Sequence, residues 1–180
     1  MKEISLNILD ITKNSVKAGA SLVKLMLNTD ETGILTVTII DNGCGMDKQM
    51  LDNVTDPFCT TRTTRKVGLG LPLLKMAAEL TGGSLDIRSS TEAGNSGTTV
   101  IAVFDTKSID CMPMGDIVST VCILIAGSPE IDFEFSDIDM NRNVTLNTAD
   151  LKAVLGDVSL AEPEIQMWIK EYLQEQYNCV

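Results

Sequence analysis

The 180-residue chain contains no histidine, and that narrows its chemistry at once. These residues cannot build a Ser-His or Cys-His nucleophile pair, a His-ligated zinc site or a phosphoacceptor histidine. Acid–base work therefore falls to carboxylates, lysine or tyrosine. Asp10, Asn14 and Lys17 stand at i, i+4 and i+7, a spacing that sets all three on one face of a helix. Asp41-Asn42-Gly43-Cys44-Gly45-Met46 places a carboxylate acceptor in a turn whose glycines allow close backbone approach. Residues 55–67 carry Thr60, Thr61, Thr63 and Thr64 with Arg62, Arg65 and Lys66, and Gly68-Leu69-Gly70-Leu71 follows. Gly94-Asn95-Ser96-Gly97-Thr98-Thr99-Val100 is a Gly/Asn turn that opens a β-branched run. Taken singly, these segments also fit a solvated helix face, a strand-end turn, a basic loop and a β-turn.

Two further signals have bland readings. Asp137-Ile138-Asp139-Met140-Asn141-Arg142-Asn143 imitates the start of a calcium loop, but Arg142 stands where glycine belongs and Thr148 where glutamate belongs, so a polar hairpin is expected. The five cysteines (44, 59, 111, 122 and 179) form no CxxC and read as reduced thiols of a cytoplasmic protein. Cys59 lies among bases that can lower a thiol pKa; an ordinary thiol is the expected reading and a redox switch the alternative.

The elements that must position these groups follow from periodicity. Ile4, Ile8 and Ile11 predict a helix over 3–18, with Gly19 as its C-cap. Residues 21–27 and 34–40 read as strands, and 47–54 as a short helix capped by Asp47. Residues 69–80 read as a helix with Pro72 in its first turn, and 84–89 and 98–104 as strands. After Asp105 come a helix at 115–126, extended runs at 132–135 and 144–146, and helices at 149–155 and 162–176. This order is not the βαβ alternation of a doubly wound sheet. It predicts an α+β fold, a two-layer α/β sandwich with helices on one sheet face, followed by a small acidic C-terminal α+β region.

In their order and spacing the four blocks resemble the nucleotide-binding domain of the GHKL superfamily. This is the Bergerat fold of histidine kinases, anti-sigma-factor serine kinases, gyrase-type topoisomerases and heat-shock chaperone ATPases. The resemblance covers about residues 3–104 and implies a mixed sheet, with ATP and Mg²⁺ as ligands. It implies that Asn14 ligates Mg²⁺ and that Lys17 lies near the phosphates. Asp10 matches the position of a catalytic glutamate in the gyrase-like branch and of asparagine or histidine in many histidine kinases; aspartate is one methylene shorter than glutamate. Asp41 would accept from the adenine amino group, with Gly43, Gly45 and Met46 forming the turn beneath it. Asp56-Pro57-Phe58-Cys59-Thr60-Thr61-Arg62 with Lys66 to Leu71 resembles the F-box, lid and GxGL motif. Phe58, Thr60, Arg62, Lys66, Gly68, Leu69, Gly70 and Leu71 would line the nucleotide, with helix N-terminal amides facing the phosphates. Thr98, or its neighbour Thr99, would hydrogen-bond near Asp41.

Charge divides the chain. Residues 1–104 carry 11 acidic and 10 basic side chains and residues 105–180 carry 14 and 4, so the net charge of −11 sits almost wholly in the second part. The expected division is therefore 1–105 for the ATP-binding domain and 106–180 for an acidic region that packs against it or binds a partner. The acid excess argues against nucleic acid and against an anionic membrane face. The N-terminus does not read as a signal peptide, and the apolar run 121–126 is far shorter than a membrane span. Two functions stay open. One is an ATP-dependent protein kinase or ATPase whose phosphoacceptor is on another protein, in signal transduction. The other is a regulatory ATP-binding module that hydrolyses slowly or not at all and engages a partner protein.

Overall fold

Ile4, Ile8 and Ile11 form the buried stripe of helix α1 (Ile4–Lys17). The computed structural model describes residues 3–55 and 70–178. Gly19 closes α1 with a φ of 74°, and the amides of Ala18, Gly19 and Ala20 bond back to the carbonyls of Asn14, Val16 and Ser15. That turn feeds strand β1 (Leu22–Thr29), and a tight turn at Asp30–Gly33 leads into β2 (Ile34–Asp41). Asp47 Oδ1 accepts from the Met50 amide and so starts the short helix α2 (Lys48–Asn53). Helix α3 (Gly70–Leu80) and strands β3 (Ser84–Ser90) and β4 (Gly97–Asp105) follow.

The acidic second part contributes α4 (Ile117–Gly127), β5 (Asp132–Ile138), β6 (Asn143–Asn147), α5 (Thr148–Leu155) and α6 (Pro163–Asn178). One six-stranded mixed sheet runs β3-β4-β2-β1-β5-β6, with only the β1–β5 pair parallel. The fold is therefore α+β, a two-layer sandwich of the Bergerat type. The sheet does not stop at Asp105: Phe133 and Phe135 stand in register beside Val23 and Leu25, so the second part extends the same core.

Period-two alternation decides which face is buried. Leu25 and Leu27, Leu35, Val37 and Ile39, and Val100, Ala102 and Phe104 turn to one side, against α1, α3 and α4. The opposite face carries Lys24, Thr36, Thr38 and Glu134 and is only partly covered. At the β6 edge the Gln176 side chain of α6 bonds both the amide (2.9 Å) and the carbonyl (3.1 Å) of Thr145, occupying backbone groups that an open edge leaves unpaired.

The calcium-like stretch is a hairpin, as its residue types predict. Arg142 Nη2 lies 3.0 Å from both Asp137 Oδ1 and Asp139 Oδ2, and Tyr177 donates to Asp137 Oδ2 at 2.6 Å. Burial and the neighbouring Asp137 carboxylate push the Tyr177 phenol well above its ordinary pKa. Among the described residues, no group of three or more Cys, Asp or Glu side chains is placed to hold a metal. No described helix is long and apolar enough to cross a membrane. Cys44 is exposed, whereas burial raises the thiol pKa values of Cys111 and Cys122, a state that disfavours reactivity.

Candidate functional site

Asp41 is the last residue of β2, and its side chain turns inward, 9% exposed. Its Oδ1 accepts from the amides of Gly43 (3.0 Å) and Thr98 (3.3 Å). Its Oδ2 accepts from the Ser15 hydroxyl at 2.6 Å. The carboxylate is thus held from three sides, by its own turn, the start of β4 and helix α1. Oδ1 is saturated, while Oδ2 has one donor among the described residues and keeps a further acceptor position.

The turn after Asp41 is pinned at several points. Asn42 Oδ1 accepts from the amides of Ser21 and Leu22, both at 2.9 Å, and the Cys44 amide donates to the Ala18 carbonyl. Gly43 is buried against Ala18, where a Cβ would come within 2.9 Å of the Ala18 methyl. Gly45 has a φ of 69°, and a Cβ there would run into the Ser90 carbonyl. Here glycine is required twice, for conformation and for space.

Ser89 ties the turn to β4. Its oxygen accepts from the Met46 amide (2.8 Å), and its hydroxyl donates to the Gly97 carbonyl (2.9 Å). The 2.8 Å contact with Thr98 Oγ1 must then use the Thr98 hydroxyl hydrogen, because Ser89 has only one to give. Of the two threonines, Thr98 is the one opposite Asp41 in the β2–β4 register; Thr99 pairs with Ile40 and turns to the other sheet face. Thr98 reaches Asp41 through its backbone amide, not its side chain.

Asp10, Asn14 and Lys17 line one side of α1 as their spacing requires. Asn14 and Lys17 are exposed, and the Asn14 side chain makes no hydrogen bond among the described residues. The Asp10 carboxylate abuts Gly70, the first residue of α3, so closely that a Cβ on Gly70 would strike Asp10 Oδ2. Asp10 therefore stands at the N-terminus of an 11-residue helix, the end where amide hydrogens and the helix dipole favour an anion, and Asn14 and Lys17 follow further along α1. Leu71 is half-buried and packs on the core beneath that end.

The family described as histidine kinase-, DNA gyrase B- and HSP90-like ATPase matches residues 2–108. The chain belongs to this family. Sporulation kinase D of Bacillus subtilis is a relative, 31% identical over 57% of this chain. The DNA mismatch repair protein MutL of Lactococcus lactis is 24% identical over 94% of it. The chain spans only 20% of the first protein's length and 26% of the second's. Among solved structures, the Aquifex aeolicus MutL ATPase domain complexed with ADP superposes with a TM-score of 0.54 at 14% identity. That superposition covers 86% of this chain and 68% of that one, a likeness of fold. ATP binding is what membership of this ATPase family implies.

Among the described candidates, the structure brings Asp41, Gly43, Gly45, Met46 and Thr98 together around the turn after β2 and sets Asp10 against Gly70, with Asn14 and Lys17 further along the same face of α1. Phe58, Thr60, Arg62, Lys66, Gly68 and Leu69, with Cys59, lie outside the described residues. Sequence reasoning missed Ser15 and Ser89. Ser15 follows Asn14 directly, and one step along a helix turns it about 100° toward the sheet, where Asp41 waits. Ser89 carries no comparable signal: it is one serine at the end of an edge strand, and only the fold shows that it serves three partners.

Proposed function

We propose that this chain binds Mg-ATP between Asp41 and the N-terminus of α3 and passes the γ-phosphate to a residue on another protein. One observation carries the reading. A single helix, α1, both anchors the buried Asp41 carboxylate through Ser15 and sets Asp10 against the start of α3, with Asn14 on the face between. The two ends of a nucleotide, base and phosphates, then have fixed partners on one rigid element.

The residues present suit the ligands. Asp41 Oδ2 has acceptor capacity for an amino group, and Asn14 offers an amide oxygen, unbonded among the described residues, of the hard type that magnesium takes. Magnesium, when bound, neutralises developing charge on the phosphates. Lys17 adds positive charge on the same face, and the amides at Gly70 and Leu71 face the phosphates. Phe58, Thr60, Arg62, Lys66, Gly68 and Leu69 are assigned to nucleotide binding in this reading by their motif resemblance alone. Asp10 is the candidate base. It accepts the proton of an acceptor hydroxyl as that oxygen bonds the γ-phosphorus, or the N–H proton of an acceptor imidazole whose other ring nitrogen attacks, while the β–γ bridging bond breaks and ADP leaves.

Because the chain has no histidine, a histidine acceptor lies outside these 180 residues. Residues 1–105 act as the nucleotide unit and residues 106–180 as the partner-facing part. A second reading is a regulatory module that binds ATP and a partner protein and hydrolyses slowly. The shortness of Asp10 relative to glutamate and the acid excess of the second part favour it. Incubation with γ-labelled ATP and candidate partner proteins separates the two: label on a partner supports transfer. Tight Mg-ATP binding with slow phosphate release and no labelled protein overturns transfer in favour of the module.

A further inference from the structure

The outward stripe of α6 is unlike the rest of the surface. Glu164, Trp168, Glu171, Tyr172 and Glu175 recur at helical spacing and all are exposed. Trp168 is 47% and Tyr172 37% exposed, and their rings stack with centroids 5.1 Å apart and planes 12° from parallel. Core packing does not account for them, since Ile169 and Leu173 are the buried residues of this helix. The two rings, with Lys24, Met26, Glu134 and Asp150, border a groove of about 440 Å³ on the partly covered sheet face. Lys24 is tied to Glu134 at 2.7 Å. Asp150, Glu164, Glu171 and Glu175 have no cation partner among the described residues.

We propose that this groove docks a protein segment bearing arginine side chains. A guanidinium plane stacks on an exposed indole or phenol ring, and its N–H fork meets carboxylates at the rim. Charge complementarity selects this occupant. A second copy of the chain would bring like charge to like charge, because residues 105–180 hold 14 acidic and 4 basic side chains. Nucleic acid is repelled for the same reason. Exposed stacked aromatics flanked by charge are the kind of anchor that dominates protein interfaces. The inference deepens the proposed function by giving its protein partner a surface and a chemistry, but it needs no nucleotide.

Trp168 is the only tryptophan, so its emission reports on the groove directly. Titration of the full chain with hexa-arginine peptide is expected to change that emission saturably, and hexa-glutamate to leave it unchanged. Glu171→Gln with Glu175→Gln weakens binding at least tenfold, as does Tyr172→Ala, which leaves every charge in place. Glu31→Gln with Glu92→Gln, in two exposed turns away from the groove, leaves it unchanged. Three results overturn the proposal: no binding of hexa-arginine, equal loss in the turn variant and the groove variants, or full affinity in Tyr172→Ala. Self-association in sedimentation that Tyr172→Ala abolishes also overturns it, giving the groove to a second copy. Mg-ATP affinity measured on the same variants stays at the parent value, so failure of nucleotide binding is read separately.

Discussion

Ser15 Oγ donates to Asp41 Oδ2 across 2.6 Å, joining α1 to the end of β2 in a buried position. The bond couples the helix that carries Asn14 to the carboxylate at the other end of the site. Ser15→Ala leaves that oxygen buried with no protein donor. Hydrogen bonds to charged groups contribute about 1.5–3 kcal/mol, so urea unfolding of the variant is expected to show a loss of about 2 kcal/mol. Calorimetry is expected to show Mg-ATP affinity lowered roughly tenfold, which corresponds to about 1.4 kcal/mol.

Gly45→Ala tests the turn. A methyl there meets the Ser90 carbonyl, and alanine at a φ of 69° is strained. The backbone must shift, and the Met46–Ser89 bond goes with it. Strain of this kind costs about 1–3 kcal/mol. Thermal unfolding is expected to fall accordingly, with nucleotide affinity falling further than for Ser15→Ala.

Asn14→Ala separates metal from fold. The side chain is exposed and unbonded among the described residues, so the unfolding free energy is expected to hold within the small range of surface substitutions, about 0.5 kcal/mol. The dependence of ATP affinity on magnesium is expected to be lost. Calorimetry with and without Mg²⁺ makes the comparison; an unchanged magnesium requirement would remove Asn14 from the metal site.

Asp116 provides a pH test outside the site. It caps α4, accepting from the Ser119 amide at 2.8 Å and hydroxyl at 2.6 Å, and the Ser119 hydroxyl, then its amide, hold the carboxyl below the ordinary range. A depressed native pKa contributes stability that is present above the unfolded value, about 3.9, and is lost as pH falls through the lower native one. Asp116→Ala is expected to cost about 1 kcal/mol at neutral pH, as lost N-caps do. The gap from the parent narrows in urea titrations below about pH 4.

Local pattern carried most of the elements. The Ile4, Ile8, Ile11 stripe, the Gly19 cap, the Asp47 cap and the alternation of 34–40 each have a physical signal within a few residues, and each is where that signal puts it. The placement of the candidate residues is legible for the same reason: helical spacing aligns Asp10, Asn14 and Lys17, and Asp41 stands at the end of a strand. The pairing of β5 with β1 was not, because alternation shows that a strand has a buried face and says nothing of its neighbour. Ser89 was illegible on similar grounds, since its three partners come from a turn and a strand that only the sheet brings beside it.

Recognition of a nucleotide by Asp41 is tested most directly by calorimetric titration of the 180-residue chain and of its Asp41→Asn variant with Mg-ATP. Asparagine keeps the size but replaces one acceptor oxygen by a donor, so it cannot serve the Gly43 and Thr98 amides, the Ser15 hydroxyl and an amino group together. The account predicts saturable binding by the parent and a loss of about a hundredfold or more in the variant, some 2.7 kcal/mol. Absence of binding by the parent, or undiminished affinity in a folded Asp41→Asn, would contradict it.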